Sequence, residues 1–323
     1  MGMVMEFWRR RTPLNLFLSP LSGAFCLAAA LRRRAYRRGW LRVHSLPVPV
    51  IVVGNITVGG SGKTPLVAWM ARRLREEGYR PGIVSRGYGG QGRGVREVTP
   101  ASDPFDVGDE PVLLARHTGC PVVVGRRRAE AAHRLLELHP CDVIIADDGL
   151  QHYALSREIE IAVMDGDYRL GNGLCLPAGP LREPKRRLEE VDRVIVLGED
   201  MTLVPAPLEN LASGQRRPLA TFRGQKVHAV AGIAHPGRFF RFLERAGLKV
   251  HGHPFPDHHR FTPEDIDFDD GLPVLMTEKD GVKCEKFARE RHWVLPVEAQ
   301  VDEVLANALV GLLKGKRNGQ KVA

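Results

Sequence analysis

Short runs of apolar, β-branched residues alternate along much of the chain with longer segments whose apolar positions follow helical spacing. The runs fall at 48–53, 82–85, 121–124, 142–146, 159–165 and 191–198; the helical segments lie at 65–77, 110–116 and 126–138. Alternation of the two predicts a mostly parallel sheet covered by helices, joined by right-handed crossovers. Pro205-Ala206-Pro207 and the polar stretch 213–218 break the pattern. A second α/β unit then begins, with strands expected at 227–232, 248–253, 273–277 and 293–296 and helices at 237–247 and 302–313. The last residues, 314–323, read as a frayed basic tail. The expected division is a segment 1–45, a core 46–215 and a smaller unit 216–323.

The segment before the core has its own pattern. Residues 14–31 are apolar but interrupted by Asn15, Ser19, Pro20, Ser22 and Gly23, and arginines flank them on both sides. A spanning helix needs about 20 predominantly apolar residues, and a secretory signal has no arginine cluster directly after its apolar run. The pattern favours a helix lying in a membrane surface with its arginines on anionic headgroups. A true span and a core helix of a soluble domain are the alternatives.

Where the first strand ends, the chain reads Gly54-Asn55-Ile56-Thr57-Val58-Gly59-Gly60-Ser61-Gly62-Lys63-Thr64. A glycine-rich loop between a strand and a helix turns backbone N–H groups toward an anion, and the helix adds its N-terminal dipole. Lysine reaches the β- and γ-phosphates of a nucleotide, and the threonine hydroxyl ligates Mg²⁺. The loop departs from the usual spacing in holding Thr57 where a glycine is expected. The fold class expected is therefore α/β, a P-loop NTPase-like sheet flanked by helices. A nucleoside triphosphate and Mg²⁺ are the expected ligands: the triphosphate on Thr57 through Thr64, and the metal on Thr64.

Further candidates sit at strand ends. The strand 142–146 runs into Asp147-Asp148-Gly149, the place for a carboxylate beside a phosphate-bound metal; Gln151 and His152 follow. Gly108-Asp109-Glu110-Pro111 opens a helix, where acidic residues are good caps. Its functional reading is a base that takes a proton from an attacking hydroxyl. Arg86, with Tyr88 beside it in Ser85-Arg86-Gly87-Tyr88-Gly89-Gly90, suits an anionic substrate, and Arg182 and Glu183 belong to a second basic loop that carries a carboxylate. In the second unit, Asp257-His258-His259 offers a histidine for proton transfer; adjacent histidines point apart, which argues against a shared metal. Thr277-Glu278-Lys279-Asp280 superficially matches a guanine-reading element, but its spacing fails.

Composition narrows the partners. The 323 residues carry 47 Lys+Arg against 38 Asp+Glu, a net +9, which favours anionic partners. Much of the excess sits in Arg9-Arg10-Arg11, Arg32-Arg33-Arg34 and Arg37-Arg38, beside the apolar segment, which points to lipid rather than nucleic acid. The five cysteines are scattered with no Cys-x-x-Cys pair, so they are expected as buried fillers in a reducing compartment.

Taken together, these motifs resemble the tetraacyldisaccharide 4′-kinases, the lipid A 4′-kinases of Gram-negative bacteria. The resemblance runs from Gly54-Asn55 and the loop ending Lys63-Thr64-Pro65 through Ser85-Arg86-Gly87-Tyr88-Gly89, Gly108-Asp109-Glu110-Pro111 and Asp147-Asp148-Gly149-Leu150-Gln151-His152. It continues through Leu181-Arg182-Glu183-Pro184, Gly232-Ile233, Asp257-His258 and Thr277-Glu278-Lys279-Asp280. Thr57 is usual in that family. The resemblance implies ATP- and Mg²⁺-dependent phosphorylation of the 4′-hydroxyl of a tetraacyldisaccharide 1-phosphate, giving lipid IVA. It implies Asp109 and His258 as a proton-accepting pair, Lys63 and Thr64 on the ATP phosphates, and Asp147 and Asp148 on Mg²⁺. Arg86, Tyr88, His152, Arg182 and Glu183 would serve the substrate. The enzyme is then expected as a monomer at the cytoplasmic face of the inner membrane, held there by its N-terminus. A membrane-associated P-loop switch or assembly NTPase is the competing reading; it leaves Asp257-His258 without a use.

Overall fold

A computed structural model of the chain describes residues 7–320. Residues 1–6, at the start of the expected N-terminal segment, and 321–323, at the end of the expected tail, lie outside the described residues.

The larger sheet holds β1 (Val50–Gly54), β2 (Pro81–Ser85), β3 (Arg96–Val98), β4 (Val122–Val124), β5 (Val143–Asp147), β6 (Ile159–Asp165), β7 (Arg193–Leu197) and β8 (Met201–Pro205). The chain then builds β9 (Leu208–Asn210), β10 (Arg216–Arg217), β11 (Lys226–Ala231), β12 (Lys249–Pro254), β13 (Val274–Thr277) and β14 (His292–Leu295), and returns with β15 (Val297–Val301). The large sheet has the order β15-β8-β7-β6-β1-β5-β2-β4-β3, and the smaller one β10-β9-β14-β13-β11-β12. β1 lies between β5 and β6 and is parallel to both. Every residue of β1 and β5 is buried, which is why both read as unbroken apolar runs. Helices Lys63–Glu76 and Asp109–Thr118 cover one face, with Leu66, Leu74, Val112 and Leu114 in the core. Helix Arg128–Leu138 covers the other.

The partition differs from the expected division at 216. β9 and β10 pair within the smaller sheet, whereas β15 crosses back to pair antiparallel with β8. The closing helix Glu303–Gln320 follows it and packs Leu305, Leu309 and Leu313 into the core of the larger sheet. That helix also takes in residues 314–320, expected as a frayed tail. Neither antiparallel strand carries a period-two signal strong enough to find without its partner.

The N-terminal apolar segment is one helix, Pro13–Arg37. Thr12 and Asn15 form a capping box at its start. Pro20 does not break it, because the Ser19 hydroxyl donates to the Leu16 carbonyl that proline leaves unpaired (2.7 Å). The core-helix alternative fails: Phe17 is 80% exposed and Leu16 63%. A polar stripe ties the helix to the core, with Asn15 Nδ2 donating to the Ala178 carbonyl (2.8 Å) and Ser22 Oγ to that of Cys175 (2.7 Å). Arg33 and Arg37 reach Glu190 at 2.8 and 2.5 Å, so two of the arginines expected on headgroups are held by the protein. Cys26 and Cys175 form a disulfide, where the sequence led us to expect five free thiols. The helix brings together two cysteines separated by 149 residues, a pairing that spacing cannot reveal. Cys120, Cys141 and Cys284 are buried thiols.

Candidate active site

The phosphate-binding loop leaves β1 at Gly54, where a Cβ would lie 2.7 Å from the Leu150 side chain. Asn55, fully buried, braces the loop from inside by donating to Ser61 Oγ (3.2 Å) and the Gly59 carbonyl (3.4 Å). Gly59 and Gly62 have φ of 109° and 84°, values glycine alone adopts freely. Gly62 caps the helix that starts at Lys63. Thr57 bridges Leu181, the Val58 N–H donates to the Pro180 carbonyl (2.9 Å), and the Arg182 N–H donates to that of Ile56 (2.7 Å). The position that departs from the usual loop pattern is therefore a splice to the segment carrying Arg182.

β5 delivers Asp147 beside the loop, in register with Val53 of β1. Asp148 follows in the left-handed region (φ 47°), which turns its carboxylate back over the loop. Lys63 Nζ lies 3.5 Å from Asp148 Oδ1 and Arg182 Nη1 lies 3.1 Å from Oδ2. Against the opposing effect of burial, these two cations hold the Asp148 carboxyl down at about 2. Asp147 is different. Its Oδ2 accepts from Ser85 Oγ (3.1 Å), while its buried Oδ1 has no hydrogen-bond partner. Burial first, then Glu110 and Asp148, push its carboxyl up to about 7. A buried carboxylate oxygen with no donor is a fit for a cation. Asp148, expected as its companion on the metal, has its oxygens occupied by Lys63 and Arg182.

Across the cleft stands the smaller unit. His258 has φ 59° and Nδ1 3.1 Å from Asp109 Oδ2. Asp109 opens helix Asp109–Thr118, and its other oxygen accepts from the Glu110 N–H (2.8 Å). Burial works against its charge, but His258, Lys279 and Lys283 hold it below the ordinary carboxylate value. His259 turns away to Asp265 (3.0 Å), which settles which histidine faces the cleft. Tyr88 lays its ring edge-on to His258 with centroids 4.8 Å apart, and is otherwise open to solvent. Arg86, on the same glycine-rich loop, is exposed.

Two expected substrate residues are engaged within the protein. Glu183 is buried; it accepts from Gln151 Nε2 (3.0 Å) and from the Tyr153 hydroxyl. His152 accepts the Arg128 N–H at Nε2 (3.2 Å), and burial together with Arg128 and Arg157 depresses its pKa to about 4. Glu183 braces the loop that carries Asp148 with both of its oxygens, and His152 braces it through Nε2. Two further residues border the site: Glu110, which reads in sequence as a helix cap, and Lys279, whose role the sequence left open and whose Nζ contacts Glu110 (3.1 Å), Asp257 (3.4 Å) and His258 Nε2 (3.3 Å). The signal for Lys279 was its place at a strand end opening a helix.

Between the units lies a cavity of about 400 Å³. Gly60 through Thr64 line it, together with Glu110, Asp257 and Lys279. Leu203, Phe239 and Phe242 are among its apolar lining residues. A phosphate cradle and apolar walls lining one cavity suit a nucleotide.

The parallel sheet, the loop and the carboxylates around it define a P-loop phosphotransferase of two α/β units. The family model described as tetraacyldisaccharide-1-P 4′-kinase matches residues 14–314. A tetraacyldisaccharide 4′-kinase of Nitrosococcus oceani is 49% identical over 320 residues, covering 97% of this chain and 95% of that protein. One from Alkalilimnicola ehrlichii is 55% identical over 311 residues, covering 93% of each. The crystal structure of LpxK from Aquifex aeolicus in complex with ATP superposes with a TM-score of 0.80 at 29% identity, covering 93% of this chain and 99% of that one. The chain belongs to the tetraacyldisaccharide 4′-kinase family.

Proposed function

We propose that the protein transfers the γ-phosphate of ATP to the 4′-hydroxyl of a tetraacyldisaccharide 1-phosphate, giving lipid IVA in lipid A biosynthesis. The observation that carries this reading is the Asp109–His258 contact, which joins a carboxylate and an imidazole from two units next to Glu110 and Asp257, residues that line the nucleotide cavity. A P-loop switch that only binds and hydrolyses nucleotide has no use for such a pair.

In this reading Thr57, Val58, Gly59, Gly60, Ser61 and Gly62 surround the ATP phosphates with backbone N–H groups, and Lys63 reaches them from the helix start. Asp148 orients Lys63. Mg²⁺ would be held by Asp147 and Thr64, where it supplies charge neutralisation on the β- and γ-phosphates. Among the described residues no cluster of three or more His, Cys, Asp or Glu side chains could hold a metal ion alone. That suits Mg²⁺, which is usually held by one or two carboxylates plus phosphates. Asp109, with His258, receives the acceptor's proton. Arg86, Tyr88 and Arg182 border the acceptor side and suit its anionic 1-phosphate.

An acceptor with four acyl chains stays in the bilayer, so the enzyme works at the membrane surface. The apolar face of helix Pro13–Arg37 with its flanking arginines suits the inner membrane's cytoplasmic leaflet, with the protein acting as a monomer. Incubation with ATP, Mg²⁺ and tetraacyldisaccharide 1-phosphate in mixed micelles should yield a lipid with a second phosphomonoester. ATP hydrolysis that ignores the lipid and leaves it unphosphorylated would overturn the reading.

A further inference from the structure

We propose that Lys279 is a positioning residue that locks His258 in the tautomer carrying its proton on Nδ1, and so leaves Asp109 to receive the acceptor's proton. This deepens, and rests on, the reading of Asp109 and His258 as a proton-accepting pair.

Lys279 is the second residue of helix Glu278–Cys284. Thr277 caps that helix, donating to Asp280 Oδ2 (2.6 Å), which also accepts the Gly232 N–H (2.9 Å). The helix start is thus tied to the segment leading to His258, whose own N–H donates to the Gly232 carbonyl (3.3 Å). From this fixed base the side chain reaches Glu110 Oε1, Asp257 Oδ1 and His258 Nε2.

An ammonium has three donors and no acceptor. Two of its neighbours are carboxylates; the third is a ring nitrogen, which matches it only with a bare lone pair. On the other side of the ring, Nδ1 faces Asp109 Oδ2 at 3.1 Å, and an ionised carboxylate can only accept. A neutral ring with Nδ1–H satisfies both contacts. A proton on Nε2 would set it against the ammonium.

The charged and titratable groups that face His258 are Asp109, Lys279, Asp257 (Oδ1 3.8 Å from Nε2) and the Tyr88 ring. Behind them stand Glu110, on Lys279, and Lys283, 3.8 Å from Asp109 Oδ2. Glu110, Asp109 and Asp257 keep Lys279 charged despite its burial, raising its pKa above the ordinary lysine value.

The transfer step then balances simply. The acceptor oxygen forms its bond to the γ-phosphorus as its O–H bond breaks, and the proton goes to the Asp109 carboxylate. The γ-phosphorus–oxygen bond to ADP breaks, and the electron pair leaves with ADP. His258 keeps its proton and donates to Asp109 throughout. A weak base suffices where the transition state is loose, since the hydroxyl loses its proton late.

The experiment is two-bond ¹H–¹⁵N correlation on the full chain with labelled histidine, His258 being assigned by its loss in His258→Gln. At about pH 8, where an imidazole is ordinarily neutral, the wild type should show a protonated Nδ1 and a bare Nε2. Lys279→Met should bring a proton onto Nε2, lower kcat about tenfold or more, and move the acidic limb of the kcat profile to higher pH. A wild-type His258 protonated on Nε2 overturns the proposal. So does a Lys279→Met enzyme with the His258 signature unchanged and its whole loss in KM for ATP. If that variant does not fold, the wild-type spectrum decides alone. Retained activity of Asp109→Asn would instead remove the base pair itself.

Discussion

Asp109 Oδ2 accepts a hydrogen bond from His258 Nδ1 at 3.1 Å, and through that contact the smaller α/β unit completes a site whose phosphate cradle belongs to the larger one. Each unit fixes one member of the pair. Helix Asp109–Thr118 fixes one and the turn at Gly232 the other.

The pair therefore acts as a unit. Asp109→Asn and His258→Gln should each lower kcat about 10²–10⁴-fold with little change in KM for ATP. The double variant should lose scarcely more than the worse single one, because residues acting as a unit are strongly non-additive. Steady-state kinetics on the lipid acceptor for the three variants checks this; additive losses would separate the two residues.

Lys63 and Asp148 make a second testable pair, 3.5 Å apart. Lys63→Met should cost about 10²-fold or more in kcat, by the scale of lost charge stabilisation at a transferring group. Asp148→Asn should keep the fold and misdirect Lys63, raising the dissociation constant of an ATP analogue. Calorimetric titration of both variants measures that; unchanged affinity and turnover in Asp148→Asn would leave Asp148 without a role in orienting the lysine.

Helix Pro13–Arg37 exposes Leu16, Phe17, Leu21 and Leu27 together. Burying one such side chain in a bilayer is worth about 1.5–3 kcal/mol. Leu16→Asp and Phe17→Asp should each weaken binding to anionic vesicles about tenfold or more, while turnover on detergent-dispersed acceptor persists. Vesicle flotation reads the first and micellar assays the second. Binding that survives the double substitution would place membrane contact elsewhere on the protein.

His152 makes stability depend on pH. Its pKa is about 4 in the fold, lowered by burial and by Arg128 and Arg157, against an ordinary 6.5. The unfolded chain therefore binds more protons between these values, so the contribution is complete above 6.5 and is lost as pH falls toward 4. The loss should be about 2 kcal/mol after screening. Denaturant unfolding of wild type and His152→Gln at several pH values tests this; the variant should lose that part of the acid sensitivity, and identical pH slopes would remove it.

The strands of the larger sheet were legible because β1 and β5 are covered on both faces and so read as apolar runs. Gly59, Gly62, Lys63 and Thr64 were legible because a phosphate cradle needs glycine conformations and a helix start in one short stretch. Glu110 and Lys279 were harder to see: an acidic residue at a helix start and a lysine after a strand have structural uses that look the same in sequence. β8 and β15 escaped notice because an antiparallel edge pair gains meaning only from its partner.

By itself, then, the amino-acid sequence determined the sheet, the phosphate loop, the acidic strand end and an apolar, arginine-flanked start, each encoded within a few neighbouring residues. Tertiary structure decided that His258 rather than His259 meets Asp109, and that Asp148 is held by Lys63 and Arg182 while Asp147 keeps a free oxygen. It also decided that Glu183 is buried against Gln151 and Tyr153, that His152 accepts the Arg128 N–H, and that Cys26 meets Cys175. Those outcomes depend on contacts between distant segments, where burial and the competition of several partners for one group fix the result, and no local pattern carries that information.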